Sequence, residues 1–595
     1  MALLEVVLLA GPAFAVGARR QQRTLALMAA AGGTPAQARR VILAGGVVLG
    51  TVASVVGVGS GVLVGWALLP VVQHFSDQWL GPFEVEPWHL VAVAGFGVLS
   101  AFLAAVVPAW IASRQDVVAV LAGRRGDRRP SLRSPVLGVV LLAGGIALSA
   151  MGAKGRGELW IAAAAVVAVV GMILLVPLVV TALARLGRRL PLVARYAVRD
   201  AARHRTRTVP AVAAVAATVA GVVALGIGNA SDAAESEATY APQLAMGMGY
   251  LSVADPDPVV DWSRYEAAVR QEAPTVAVTE VRAYGAPRND SSTDLRLRRP
   301  GVRGYDALLD SWGGAFGSVL AGAASLDLVV PARADDLAPA RKMLESGGMV
   351  VFTSHPIDGD TIQLRGAIHP YSGTARPQRL SPLDLPAYFL QVRGNAPALA
   401  IAADGALDPM GLTESVGGLS LDAHGLDKRS EDVLREVIQG MSDNAYLYVE
   451  RGYQSDNQTL IVLAILFALG GVLMLGGTLT ATFLALSDAR PDLATLAAVG
   501  AAPRTRRGVA AAYALVIGFV GAVLGAAVGF IPGIAVSYPL TSGYRPSGLD
   551  VPVPDHFLAI PWTLVLGLVV VLPLVTTLVV GLFARSRLPL VARLD

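Results

Sequence analysis

Hydrophobic positions in this chain gather into long unbroken runs instead of the narrow stripes of a soluble helix or strand. Nine runs, near 3–18, 41–69, 88–112, 136–151, 159–184, 209–228, 459–486, 509–538 and 557–584, alternate with short polar segments. An α-helix rises 1.5 Å per residue, so about 20 apolar residues cross the roughly 30 Å hydrocarbon core of a bilayer. The pattern predicts a polytopic α-helical membrane protein of nine spans. Between 230 and 458 the runs stop. Proline, aspartate and tyrosine become frequent, alternation over 274–284 and 349–353 predicts strands, and 261–272 and 430–441 read as helices. That region is expected to be a mixed α/β domain of one lobe or two.

Composition supports this reading. Hydrophobic residues make up 54% of the 595 and charged residues 15%, where soluble domains carry about 25%. The charges then orient the spans. Segments 19–40, 113–135, 185–208, 487–508 and 585–595 hold 5, 6, 8, 4 and 3 Arg or Lys, whereas 70–87, 152–158 and 539–556 hold 0, 2 and 1. Basic loops stay in the cytoplasm, which places 230–458 outside it and the C-terminus inside. The net charge of +4 is thus a topology signal. A nucleic-acid partner, which would need basic residues gathered on one folded face, is not expected. The chain has no cysteine, so no disulfide or thiolate site forms.

This orientation leaves Met1 outside, ahead of an apolar run containing Glu5. Ala13-Phe14-Ala15 imitates a signal-peptide cleavage site, but no basic stretch precedes the run as a signal peptide requires. The expectation is that 1–18 is a remnant span of a longer protein with about ten spans.

Two stretches repeat each other. Residues 19–35 read RRQQRTLALMAAAGGTP and 489–503 read ARPDLATLAAVGAAP; setting Gly32 on Gly500 pairs Leu25 with Leu493, Ala26 with Ala494, Pro35 with Pro503 and Arg39 with Arg507. The same offset sets Gly57, Gly61 and Gly65 on Gly525, Gly529 and Gly533 in the spans that follow. Glycine at every fourth position flattens one helix face and lets another backbone come close, so these six are candidate helix-packing glycines. The copies close alike, with Ser113-Arg114, Val117 and Leu121 against Ser586-Arg587, Leu590 and Leu594. Residues 19–122 and 487–595 are therefore two copies of one module: a cytoplasmic helix, a glycine-lined span, a short outer loop and a returning span.

A basic-flanked Leu/Ala-rich helix that ends in a Gly-small-x-Pro turn resembles the FtsX-like permease family, which includes the membrane subunits of MacB-type (type VII) ABC transporters. Residues 195–228, with their Arg-rich amphipathic start, resemble that family's approach to the span before its outer domain. Residues 344–366 (LESGGMVVFTSHPIDGDTIQLRG) resemble its strand, loop, Gly-Asp turn and strand. Two departures stand out. The acid usual eight positions before the turn glycine is Asp492 in one copy but Thr24 in the other, and the arginine usual three positions before it is Ala29 and Ala497.

The resemblance implies a remnant span 1–18, a first permease module 19–122 and a linker with a central pair of spans over 123–194. It further implies an amphipathic segment and span 195–229, an extracytoplasmic α/β domain 230–458 and a second module 459–595. It implies docking of a cytoplasmic ABC ATPase dimer at Thr24, Leu27, Ala31 and Gly32 in one copy and Asp492, Leu496, Val499 and Gly500 in the other, with ATP held on that partner. A second permease copy or an extracytoplasmic accessory protein would be a further partner. The chain has no G-x-x-x-x-G-K-[ST] phosphate loop, so it is expected to be no enzyme itself and to hold no cofactor.

No catalytic or metal-ligating constellation is expected in the outer domain. His355, His369 and His424 lack ligand-spaced partners, Ser455-Asp456-Asn457 lacks the companion motifs of penicillin-binding enzymes, and Asp255-Pro256-Asp257-Pro258 reads as a rigid turn. An ion-coupled secondary transporter is disfavoured, since apart from Glu5 the nine runs hold no Asp, Glu, Lys or Arg, groups that ion coupling uses. The expected function is a plasma-membrane permease that exports or extracts a hydrophobic or amphipathic substrate by transmitting ATPase motion to the outer domain. The alternative is a non-transporting regulator of cell-wall hydrolysis or a peptide sensor.

Overall fold

The computed structural model describes residues 31–75, 83–113, 133–203, 205–253, 260–285, 291–302, 308–309, 312–313, 316–370, 376–442, 444–454, 457–488, 503–541 and 554–583, together with Phe14, Gln21, Thr24, Leu27 and Met28. The chain forms two units, one of Met1–Glu235, Asp456–Gly543 and Asp555–Asp595 and the other of Ser236–Ser455 with Tyr544–Pro554.

The regular elements of the first unit are all helices among its described residues. Its helices are α1 (Pro35–Phe75), α2 (Pro87–Ser113), α3 (Arg133–Met151), α4 (Glu158–Leu186), α5 (Leu192–Arg203) and α6 (Arg205–Ala238). After the second unit come α10 (Asn457–Asp488), α11 (Pro503–Leu540), α12 (Trp562–Leu566) and α13 (Leu572–Phe583), the last two joined by a π-helical turn, Gly567–Val571. Among the described residues eight helical stretches are long and apolar enough to cross a bilayer, from Pro35–Pro70 through Trp562–Leu582. They correspond to the second through ninth apolar runs, and this is a multi-pass membrane protein. The first run lies, apart from Phe14, outside the described residues.

Proline opens α1, α2 and α11, where its fixed φ suits the first helical turn and its missing N–H has no partner to lose. Bare apolar side chains such as Val48, Leu49, Val52, Val55 and Val56 of α1 stay exposed, a surface that hydrocarbon solvates at no cost. Helix α6 is the opposite case, with 83% of its most apolar window buried. It is the centre of a core that also draws Val176 and Val180 from α4, Ala197, Val198 and Ala201 from α5, Met474 from α10, Tyr513 and Ile517 from α11, Leu564 from α12 and Leu572 from α13.

The second unit is a mixed α/β fold. Its strands are β1 (Met248–Val253), β2 (Ala277–Tyr284), β3 (Ser291–Arg298), β4 (Val319–Ala321), β5 (Met349–Thr353), β6 (Thr361–Pro370), β7 (Gln378–Arg379), β8 (Leu383–Gln391), β9 (Ala400–Ala402), β10 (Glu414–Asp422) and β11 (Ala445–Val449). They join in one sheet path, β11-β1-β10-β2-β4-β9-β5-β8-β6-β3, with β7 beside β6. The β4–β9 and β5–β8 pairs are parallel and the other strand pairs antiparallel. The helices are α7 (Trp262–Glu272), α8 (Leu337–Glu345) and α9 (Lys428–Met441). Tyr265 and Val269 of α7 and Leu434 and Ile438 of α9 share one core with Leu419, Leu421 and Leu447 of the sheet. Asp427 caps α9 by accepting the Ser430 N–H at 3.1 Å, and this holds its carboxyl below the usual range.

Four tyrosines of this unit lie against the sheet or its carboxylates. Burial pushes Tyr250 up to about 12. Burial, then the Glu414 carboxylate, raises Tyr284, whose hydroxyl donates to Glu414 at 2.9 Å, with the Ala403 carbonyl a second acceptor within reach at 3.1 Å. Burial and Glu450 raise Tyr240 and Tyr448. A phenol raised above its unfolded value of about 10 stabilises the fold fully below that pH, and the contribution is lost as pH climbs through the folded value. Alkaline titration of the full chain, followed by phenolate absorbance and sheet circular dichroism, is therefore expected to show two phases. The late phase belongs to the buried phenols, which ionise above pH ~10 only as the sheet signal falls. A single phase with the sheet intact would contradict the burial described.

Candidate functional site

The turn before α1 is built from local sequence. Gly32 takes φ +91°, a left-handed conformation that glycine adopts without penalty. The Gly33 N–H reaches back to the Met28 carbonyl at 2.9 Å, which is the long bond of a Schellman ending with Gly32 just past the helix. A Cβ on Gly33 would stand 2.7 Å from that carbonyl oxygen, so this position is closed to side chains as well. The next helix starts at once. Thr34 and Gln37 form a reciprocal capping box, Thr34 N–H to Gln37 Oε1 at 2.8 Å and Gln37 N–H to Thr34 Oγ1 at 3.4 Å, and Pro35 holds the first helical position.

The turn displays what lies before it. Thr24, Leu27 and Ala31 are all exposed, as is Gly32, and Leu27 leaves 58% of its surface uncovered. Spacings of three and four put these residues on one helical face. The docking candidates of the second copy, Asp492, Leu496, Val499 and Gly500, lie outside the described residues.

The glycine faces differ between the modules. On α11 a Cβ added at Gly529 would stand 2.5 Å from the Ala220 carbonyl oxygen of α6, one at Gly525 2.9 Å from the Ala216 Cα, and one at Gly533 3.1 Å from the Ala224 Cα. Gly521 continues the row against Val215. Ala216, Ala220 and Ala224 are themselves spaced by four, so a small-residue face on each helix brings the backbones into contact. On α1 no described atom comes within 4 Å of a Cβ added at Gly57 or Gly61, and Gly65 meets the Phe83 ring at 3.5 Å. What joins α1 to α2 is a different set. A Cβ at Gly46 would stand 2.8 Å from Ala105 and one at Gly50 2.5 Å from Ala101.

The residues that pin α5 are not evident from motif reading. Asp200 is 8% exposed and accepts a hydrogen bond from the Tyr513 hydroxyl of α11, fastening the amphipathic helix to the glycine-faced span. Its position is a legible signal in hindsight: Asp200 lies three residues beyond Ala197 and beside Ala201, on the buried face of an otherwise Arg-rich helix. At Tyr513 the repeat offset gives Gly45, so the first module has no equivalent hydroxyl.

No group of three or more His, Asp or Glu able to hold a metal occurs among the described residues. His424 pairs with Asp422 at 2.6 Å, the His–carboxylate contact of an exposed turn. Residues 254–259, which contain the Asp-Pro pairs, lie outside the described residues, as do Ser455 and Asp456.

The two glycine faces give opposite expectations for one substitution. Gly529→Leu forces apart two touching backbones and should lower stability by about 2 kcal/mol or more, while Gly61→Leu should change it by less than about 0.5 kcal/mol. Thermal unfolding of the full chain in detergent measures both, and equal losses would contradict the packing described.

Comparison with known proteins finds one family match, in two segments of the chain. The family model for the FtsX-like permease C-terminal region matches residues 1–117 and 461–589. No curated protein matches the chain. The matched segments carry both glycine-faced helices and both Gly-small-x-Pro turns, and over them the chain is similar to the FtsX-like permease family, a match that supports placing its membrane unit in that family.

Proposed function

We propose that the chain is the permease subunit of an ABC-type system, energised by a separate cytoplasmic ATPase dimer that docks on the turns before α1 and α11. The observation that carries this is the exposed face Thr24–Leu27–Ala31, which ends at a turn fixed by Gly32 and Pro35. A well-defined turn presenting an uncovered leucine outside the span is what a rigid partner groove can grip. FtsX-like permeases generally work with a cytoplasmic ABC ATPase, and the family match over both modules fits that role.

Motion at the turns has a physical route onward. In the second module α11 meets α6 by backbone contact, and α6 leads by chain connectivity into the α/β unit. The positive-inside distribution of the basic segments supports a reading with the turns in the cytoplasm and the α/β unit outside it. Trp88 and Trp562 open the returning spans of the two modules, each after a proline and each exposed, as expected of residues at a membrane interface. Spans almost free of charge suit a substrate that is hydrophobic or amphipathic and is handled at the outer leaflet.

The test is capture of the full chain from native membranes. The wild type is expected to recover a nucleotide-binding ATPase, and Leu27→Asp to cut the recovery about tenfold, roughly 1.4 kcal/mol, while the protein stays inserted. Absence of an ATPase, or recovery unchanged by Leu27→Asp, would overturn the docking assignment. In proteoliposomes carrying the recovered pair, ATP hydrolysis stimulated by an amphipathic substrate supports transport. A wall hydrolase bound to the α/β unit supports the regulatory reading instead.

A further inference from the structure

We propose that Glu450 is a positioning residue that ties the incoming and outgoing linkers of the α/β unit together, so that displacement of either one reaches β1 and β11 as a pair. The proposal rests on the transmission role argued above, but its geometry stands within the second unit alone. The chain passes from α6 through residues 239–247 to β1, and from β11 through residues 450–456 to α10. Glu450 is the first residue after β11 and is fully buried.

Its carboxylate is held by donors from both linkers. The incoming linker gives the Tyr240 hydroxyl, the Gln243 N–H at 2.8 Å and the Leu244 N–H at 3.5 Å. The outgoing side gives the Tyr448 hydroxyl at 3.0 Å and the Gly452 N–H at 3.0 Å. A carboxylate has about four lone-pair sites, and these contacts occupy them with neutral donors. The main chain of the same residue completes the tie, with the Gly247 N–H donating to the Glu450 carbonyl and the Glu450 N–H to the Met248 carbonyl, both at 2.8 Å. Gly452 reaches its place with φ +77°, and the Tyr240 and Tyr453 rings meet edge-on at 5.9 Å.

The cost of breaking such a site is asymmetric. A buried acceptor that loses one donor weakens its remaining bonds, and a buried charge that loses several must find water. Each linker therefore depends on the other through one side chain. A brace serving the fold alone would need only donors from its own strand pair. Here three of the five come from residues 240–244, before the first strand begins.

Hydrogen exchange on the full chain in nanodiscs tests the tie without any ATPase, so its failure and failure of the permease reading are distinguishable. In Glu450→Gln, amides of 241–247 and 450–453 are both expected to exchange at least tenfold faster while those of β5 and β8 keep their rates. Tyr240→Phe is the decisive variant, because it alters only the incoming linker and removes no charge. It should speed exchange at Gly452, on the other side of the tie, with the melting temperature of the sheet unchanged. Acceleration confined to the incoming linker, or none at all, would overturn the proposal. If Glu450→Gln unfolds the unit, the Tyr240→Phe result still decides.

Discussion

Contact between the backbones of α6 and α11 is the constraint on which the second module depends. In lipid, burying a leucine against another leucine gains little, because the acyl chains it leaves are as apolar as the neighbour it meets. What holds two spans together is closeness, and closeness here comes from Gly525, Gly529 and Gly533 lying on Ala216, Ala220 and Ala224. Once the two helices touch, α6 is enclosed by α4, α5, α10, α12 and α13 as well, and it becomes the most buried of the described spans. The Asp200–Tyr513 bond then fixes the approach helix to the same pair.

The repeat makes the asymmetry of the molecule visible. Both modules carry the glycine face at the same offset, and both start the glycine-faced helix at a proline. One face is sealed by α6; the other meets no described neighbour at Gly57 and Gly61. The tyrosine that anchors α5 is also confined to the second copy. Two copies of one module are thus packed differently among the described residues, and the second glycine face lies against α6, the helix that precedes the α/β unit in the chain.

Much of this was legible in the sequence because membrane spans and repeats are written in composition and offset. The apolar runs gave the helices, although α1 and α11 begin six residues before their runs, at Pro35 and Pro503, and the alternation at 274–284 and 349–353 gave β2 and β5. The sheet forms one continuous path, a connection between strands that alternation alone does not reveal. Partner choice was not legible. Spacing shows that a glycine face exists, but which helix covers it depends on residues far away in the chain. The same holds for Glu450, whose donors at Tyr240, Gln243 and Leu244 lie more than 200 positions earlier. A lone glutamate after a strand carries no local signature of that role. The π-helical turn Gly567–Val571 was likewise invisible.

The central claim is that α6 and α11 move as one body because their backbones touch. The chain has no cysteine, so spin labels can be placed without background at Leu225 on α6 and Phe519 on α11, both exposed. Pulsed electron–electron distance measurement on the full chain in nanodiscs should give one narrow distribution, and Ala220→Leu should lengthen and broaden it. A broad distribution in the parent protein, or one that Ala220→Leu leaves unchanged, would contradict the account.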